Sequence, residues 1–515
     1  MQGLAYKLAP KGIRANTVSP GNVYFEGGVW DQNRKERSEA VRGITSTQSW
    51  WTHGAPTGNR QHGRIRRKSC GELRERSECC GGWRANAWRA ALSLRRYLQG
   101  ASLELIEAKR LKQTQGALTI MKRMSSLLYA GRSRGAAIAL LASLAMASHA
   151  AIAADPVRIG VPVGLSGANS VVAPSVVQAA QLAVDEINAK GGILGRQVSL
   201  EVADDGSGAA GAQKAFDSLI FEKKVNALIS METSAARNAG LPIVTRGKVP
   251  FIYTSFYEGR SCSRYMYVDA WVPDQQVAPI VDYFMKQQKA KTFFLIGSDY
   301  AFGRGMLDFT KTYIEKQGGK VVGDEYLPMD GSDWTSIISK LQAAKPDAII
   351  TSTAGGAPNV TLTKQLRAAG VKVPYGNLAV DEGTAKSMGA DAQGIYISGS
   401  YVTNIDTPAN HAFLAAMQKR FGADLKTQND LSVPEYEAIY LYKAAVEKAG
   451  SVDTAKVIPA LAQVSFDGPR GTIRMDKERH TPLTMYLGQV QADGSVKVIE
   501  SFKNVDPGEQ CPALK

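Results

Sequence analysis

From Val157 onward the chain alternates short, almost wholly apolar runs with longer stretches whose apolar positions recur every three or four residues. The first unit reads Val157-Arg-Ile-Gly-Val-Pro-Val163, then Val176–Ala189 closed by Gly191-Gly192, then Val198-Ser-Leu-Glu-Val202. Further strands are expected at Ala227–Ser230, Pro250–Thr254, Lys291–Gly297, Val321–Leu327, Asp347–Ser352 and Ile395–Gly399. Helices are expected near Ala278–Lys289, Gly303–Gln317, Ser336–Ala344, Val360–Ala369, His411–Phe421 and Glu435–Ala449, several of them followed by glycine, and Asp493-Gly494 marks a hairpin turn. Apolar runs separated by amphipathic helices are the signature of parallel sheets covered on both faces, which makes the chain α/β. The alternation restarts after about Trp271, and residues 155–515 exceed the usual size of one core, so two similar lobes are expected.

The pattern upstream is different. Lys122, Arg123, Arg132 and Arg134 precede the apolar run Ala136–Ala147, and Ala151-Ile-Ala153 precedes Asp155, which together read as a secretory signal peptide over 121–153. The run falls short of the roughly 20 residues a spanning helix needs. A buried alanine-rich helix is the other reading. Export machinery reads such a segment at a nascent N-terminus, so the working start is expected at Met121 or Met124 and the mature protein in the periplasm. No later apolar stretch is long enough to span a bilayer, so the mature form is expected to lack a membrane span.

Charge changes its meaning once the chain is divided there. The whole sequence carries a net +15, but residues 1–154 hold 25 Lys and Arg against 9 Asp and Glu, leaving 37 against 38 in the remainder. The exported part is nearly neutral, which argues against a nucleic-acid partner. Cys70, Cys79 and Cys80 lie in the leading segment without metal-ligand spacing; beyond it stand Cys262 and Cys511, for which a disulfide and two separate thiols are both open. Residues 33–120 match no recognisable domain.

In parallel sheets small molecules bind beyond the carboxyl ends of strands, where helix N-termini present free N–H groups. The loop Gly164-Leu-Ser166-Gly167 follows the first strand. Glu232-Thr233-Ser234 follows the third, with two hydroxyls placed to hold a carboxylate or amide oxygen or simply to cap a helix. Tyr253-Thr254-Ser255 ends the fourth, and Ser298-Asp299-Tyr300 brings a ring to the edge of the second lobe. Glu232 and the pair Asp381-Glu382 are candidates to receive a ligand cation, or are ordinary solvated acids. The candidate ligand-binding set is therefore Ser166, Glu232, Thr233, Ser234, Tyr253, Ser255, Tyr300, Asp381 and Glu382. There is no Gly-x-Ser-x-Gly elbow, His-Glu-x-x-His or phosphate loop, and only His411 and His480 lie beyond the signal, so no catalytic residue, metal or cofactor is expected.

Two resemblances follow from longer motifs. Leu8–Gly21 and Gly27–Trp30 resemble a late stretch of a short-chain dehydrogenase, but the dinucleotide turn and catalytic pair of that family are missing from 1–32, so an oxidoreductase is the weakest alternative. From Val157 to about Glu500 the sequence resembles type I periplasmic solute-binding proteins of the branched-chain amino acid group, through Ile159–Gly167, Ala183–Arg196, Asp204-Asp205, Phe466–Ile473 and Leu487–Val490. Tyr257-Glu-Gly259, Pro273–Gln276 and Gly297–Tyr300 are most similar to the urea and short-chain amide branch, with Glu232 standing where that branch carries an aromatic ring. The resemblance implies two Rossmann-like lobes joined by a three-strand hinge near Trp271, Asp381 and Ser465, giving 154–271 with 381–464 as one lobe and 272–380 with 465–515 as the other. It implies Ser234, Tyr253, Ser255 and Tyr300 as cleft residues, a monomer, an inner-membrane ABC permease as partner, and an amino acid, amide or urea as solute. A ligand-sensing regulator of the same fold is the alternative.

Overall fold

The computed structural model describes residues 155–206 and 208–514. The fragment 1–32, the stretch 33–120, the signal segment 121–153 and Cys70, Cys79 and Cys80 lie outside the described residues.

The first lobe comprises β1 (Val157–Val163), α1 (Ala173–Ala189), β2 (Val198–Asp204), α2 (Ala209–Asp217), β3 (Ala227–Ser230), α3 (Ser234–Gly247), β4 (Phe251–Tyr253) and β5 (Met266–Val268). The second follows as α4 (Pro273–Lys286), β6 (Thr292–Ser298), α5 (Ala301–Lys316), β7 (Lys320–Leu327), α6 (Thr335–Ala344), β8 (Ala348–Ser352), α7 (Ala357–Ala368), β9 (Tyr375–Asn377), α8 (Glu382–Met388) and β10 (Ile395–Gly399). The chain then adds α9 (Pro408–Phe421), α10 (Val433–Ala449) and α11 (Thr454–Leu461), the hairpin β11 (Ser465–Gly468) and β12 (Gly471–Arg474), and finally β13 (Leu483–Val490) and β14 (Val496–Val505).

The first sheet is five-stranded and parallel in the order β2-β1-β3-β4-β5. β1 sits between two neighbours with helices on both faces, which is why Val157, Ile159, Val161 and Val163 are all buried although they point to one side and Gly160 and Pro162 to the other. The second sheet is seven-stranded in the order β14-β13-β10-β9-β8-β6-β7, parallel from β7 to β10 and closed by the antiparallel pair that turns at Asp493-Gly494. Strand order reverses direction at β1/β3 and again at β6/β8, so each sheet has a topological switch point whose carboxyl edge forms a crevice.

Several helices begin earlier than their apolar period indicates. α1, α4, α7, α9 and α10 each carry a proline in the first turn. At those positions the missing N–H would have no helical partner, and the ring presets φ for the helix, so the proline opens it.

The lobe boundaries differ from expectation at two of three crossings. A crossing near Asp381 would assign Ile395–Gly399 to the first lobe, but β10 pairs with β9 and β13 of the second sheet. Asp381-Glu382 opens α8, the short crossover between β9 and β10. The first-lobe segment therefore resumes after Gly399, where α9 and α10 pack on α1 and α10 also on β3. Likewise β11 packs on α10, so the last crossing falls between Arg474 and Leu483 rather than at Ser465. Trp271 lies between β5 and α4.

These crossings converge on one buried guanidinium. Arg470 donates to Asp269 at 2.5 Å, to Glu437 at 2.5 Å and to Ser400 at 3.1 Å. Ser400 donates in turn to Asp430, which also accepts from the Trp271 indole at 2.7 Å. Burial pushes Asp430 up to about 6 and Glu437 up to about 7, against the pull of Arg470. A disulfide joins Cys262 to Cys511 with Cα atoms 5.7 Å apart, tying the β4–β5 loop to the tail beyond β14.

Candidate functional site

The carboxyl edges of the two switch points face one another, and the lobes touch on either side of the space between them. On one side the Ala357 N–H, at the start of α7, donates to the Ala168 carbonyl at 3.3 Å. On the other, Gly305 of α5 lies against Glu258 of the β4–β5 loop so closely that a Cβ at 305 would stand 2.6 Å from the Glu258 Cβ.

Between these contacts is a small pocket of ≈ 20 Å³. The first lobe contributes Asn169, Met231, Glu232, Thr233, Ser234, Ser255 and Phe256; the second contributes Tyr300, Phe302 and Gly355; Leu431, before α10, completes the wall. Glu232, Thr233, Ser234 and Ser255 come from the loops that leave β3 and β4, and Asn169 from the loop after β1. Thr233 caps α3, its hydroxyl accepting from the Ala236 N–H at 3.1 Å, so Ser234 starts the helix and faces the space its N-terminus polarises. Rings supply the rest. Phe256 stacks on Trp271 with centroids 4.2 Å apart and planes 4° from parallel, and lies 5.7 Å from Phe302 across the lobes. Tyr300 and Phe302 come from the loop and first turn between β6 and α5.

Behind this wall a second layer of polar groups is fully engaged. Arg237 donates to Glu258 at 2.6 Å and lies over the Tyr257 ring at 4.5 Å and the Tyr253 ring at 5.1 Å, while Ser234 donates to the other oxygen of Glu258. The Tyr257 hydroxyl meets His480 Nε2 at 2.6 Å, and burial holds that imidazole down at about 4, hence neutral.

The structure brings five of the nine sequence candidates into the pocket: Glu232, Thr233, Ser234, Ser255 and Tyr300. Tyr253 stands one layer back, donating its hydroxyl to the Glu232 carbonyl at 2.7 Å, with burial pushing its pKa to about 12. Ser166 is exposed and bonds Asp204 at 2.9 Å, outside the lining. Asp381 and Glu382 are outside it as well. Asp381 caps α8, accepting from the Gly383 N–H at 2.8 Å and the Thr384 N–H at 3.1 Å, and Glu382 accepts from the Thr403 N–H at 2.6 Å. Asn169, Met231, Phe256, Phe302, Gly355 and Leu431 line the pocket without having been singled out. Phe256 and Phe302 sit one and two residues from Ser255 and Tyr300, so strand-end position alone could have named them; Leu431 depends on tertiary packing that no local pattern encodes. Among the described residues no group of His, Cys, Asp and Glu is arranged to hold a metal, and no helix is long and apolar enough to cross a membrane.

A sequence model described as periplasmic binding protein matches residues 156–495. The chain belongs to the periplasmic binding protein family. Among its relatives, a Leu/Ile/Val-binding protein of Rhizobium johnstonii is 30% identical over 338 residues, covering 62% of this chain and 86% of the relative. Among solved structures, a branched-chain amino acid transporter substrate-binding protein of Streptococcus pneumoniae, in complex with isoleucine, is 25% identical with a TM-score of 0.60, covering 67% of this chain and 99% of that one. An ABC transporter solute-binding protein of R. palustris in complex with 4-hydroxybenzoate is 26% identical with a TM-score of 0.64, covering 69% and 99%. Like these periplasmic binding proteins, the chain has the architecture of solute capture for an ABC transporter.

Proposed function

We propose that the chain is the extracytoplasmic component of an ABC importer that captures a small nitrogen-containing solute, an amino acid or an amide, between its two lobes and presents it to an inner-membrane permease. The observation that carries this reading is the pocket itself, lined by hydroxyls and an acid from β3 and β4 of one lobe and by rings from β6 of the other. A solute held there touches both lobes at once. It therefore binds the closed arrangement better than an open one and shifts the population toward closure by that difference. Nothing covalent is required of the residues present; they desolvate, hydrogen-bond and release. Export through the segment 121–153, from a start at Met121 or Met124, belongs to the same reading, and N-terminal sequencing of the secreted protein is expected to find an end near Asp155.

The test is a thermal-shift screen of the protein against amino acids, amides and urea, followed by calorimetric titration of the hits. Saturable, one-to-one binding is expected, weakened by Ser234→Ala and by Tyr300→Ala. Hits that bind both variants as tightly as the unaltered protein would place the solute elsewhere.

A further inference from the structure

The loop 254–265, between β4 and β5, is anchored in two directions. Its first half belongs to the first lobe and to the pocket. Thr254 donates to Glu435 at 2.6 Å, Ser255 and Phe256 line the pocket, and Glu258 accepts from Arg237 at 2.6 Å while its Cβ faces Gly305 of the second lobe. The second half turns away from that lobe. The Arg260 N–H donates to the Gln510 side chain at 3.0 Å, and the Arg260 guanidinium donates to Asp274, at the start of α4, at 3.4 Å. Gln510 donates to the same Asp274 at 3.2 Å, and Glu478 accepts from the N–H groups of Gln510 and Cys511. Cys262 then joins Cys511. Of these partners, α4 packs on β10 and β13 of the second sheet, and the tail carrying Gln510 and Cys511 leaves β14 of the same sheet.

The disulfide is therefore a covalent connection between the lobes in addition to the chain crossings, and it lies beside them. The Val268 N–H, at the end of β5, donates to the Arg479 carbonyl at 2.9 Å, Thr481 donates to the Val268 carbonyl at 2.9 Å, and Tyr257 meets His480 at 2.6 Å. A tether beside a hinge permits rotation but limits its reach. The contacts between the lobes, Glu258 with Gly305 and Ala357 with Ala168, exist together with the bond. It thus leaves the closed arrangement intact and removes open ones in which loop and tail would part. Cys262 is exposed while Cys511 is buried, so a thiol can approach from the side of the loop.

We propose that the Cys262–Cys511 disulfide is a redox-sensitive tether that limits how far the lobes open, and that a dithiol slackens it. The proposal rests on the capture reading above for what closure serves. A thiolate of the dithiol attacks the Cys262 sulfur, the S–S bond breaks, and its electron pair leaves on Cys511, which takes a proton. The second thiolate of the dithiol then attacks the mixed disulfide and frees Cys262, which is protonated in turn. The dithiol ends as a disulfide, and the protein gains two electrons and two protons as two thiols. With the tether open the lobes gain open arrangements. The closed fraction falls, and the apparent affinity for solute falls by the same factor.

The experiment is hydrogen exchange at the Ala357 amide of the empty full chain, before and after reduction by dithiothreitol, with and without dilute urea. Ala357 donates across the cleft and lies on the other side of it from the Glu258–Gly305 contact, so it reports movement of the lobes. Reduction is expected to speed its exchange by about 5-fold or more, the lower end of coupling between sites. That rate should not respond to urea, because separation of intact lobes exposes little new surface compared with unfolding. Cys511→Ala should exchange at the reduced rate and ignore dithiothreitol. Equal exchange before and after reduction would overturn the inference, as would an acceleration that grows with urea, which marks a bond that only stabilises the fold. A response to dithiothreitol that persists in C511A would overturn it too, by tracing the effect to other cysteines. The comparison on the unaltered protein decides the matter even if the variant folds poorly. No solute enters the measurement, so its failure leaves capture between the lobes standing, and a failure of capture shows separately in the solute screen.

Discussion

Gly305 separates the stability of the fold from closure of the lobes. It lies inside α5, where replacing glycine by alanine favours the helix by about 1 kcal/mol. Across the cleft, however, the added Cβ would stand 2.6 Å from the Glu258 Cβ and 3.0 Å from its Cγ. Glu258 has little room to yield, because its two oxygens are held by Arg237 at 2.6 Å and by Ser234. Overpacking of this kind costs about 1–3 kcal/mol, and the cost arises only when the lobes are together. At 1.4 kcal/mol per factor of ten, Gly305→Ala should weaken solute binding by roughly 5- to 150-fold. The same change should leave thermal unfolding of the empty protein unchanged or raise its midpoint. Calorimetric titration with a solute from the screen, set beside unfolding of the empty protein, reads both effects. Unchanged or tighter binding in this variant would refute the view that the lobes meet at Gly305 when solute is held.

Other consequences concern the hinge, pH and the tail. Arg470→Ala strips the cation from Asp269 and Glu437, both buried, and should cost about 3–5 kcal/mol in urea unfolding; a loss under about 1 kcal/mol would show that the guanidinium does not hold the crossings. Glu435 has its pKa raised by burial to about 8, so the folded protein binds its proton more tightly than the unfolded chain does. That contribution is fully present below the ordinary glutamate range and is lost as pH rises toward about 8, so Glu435→Gln should be more stable than the unaltered protein at alkaline pH, measured by urea midpoints across the range; parallel pH curves would contradict this. Cys262→Ser opens a cross-link between residues 249 apart and should lower stability by about 2–4 kcal/mol, with added reductant having no further effect on the variant; equal melting of the two proteins would argue against the bond.

Much of the fold was legible because its strands are buried on both faces and therefore read as unbroken apolar runs. Six strands read from such runs, among them β3, β6, β8 and β10, lie where the alternation places them. β5 and β9, of three residues each, are too short to show a period and take their place only by pairing with longer neighbours. The loss of β9 had a further effect: with no strand visible before it, Asp381-Glu382 looked like a loose acidic pair at a crossing, when it is the cap and first turn of α8. At the site, hydroxyls that follow β3 and β4 were legible because strand ends and helix starts can be found locally. Whether an acid there is satisfied cannot be found locally. Asp381 and Glu232 look alike in sequence, yet the first is enclosed by backbone donors and the second by apolar groups and other acids.

The claim on which the rest depends is that solute draws the lobes together, and the Ala357 amide reports it directly because it donates across the cleft to the Ala168 carbonyl at 3.3 Å. Hydrogen exchange at that amide, measured with and without a saturating solute, should show clear added protection when solute is present. Exchange at Ala357 that is the same in both conditions, under proven saturation, would contradict the account.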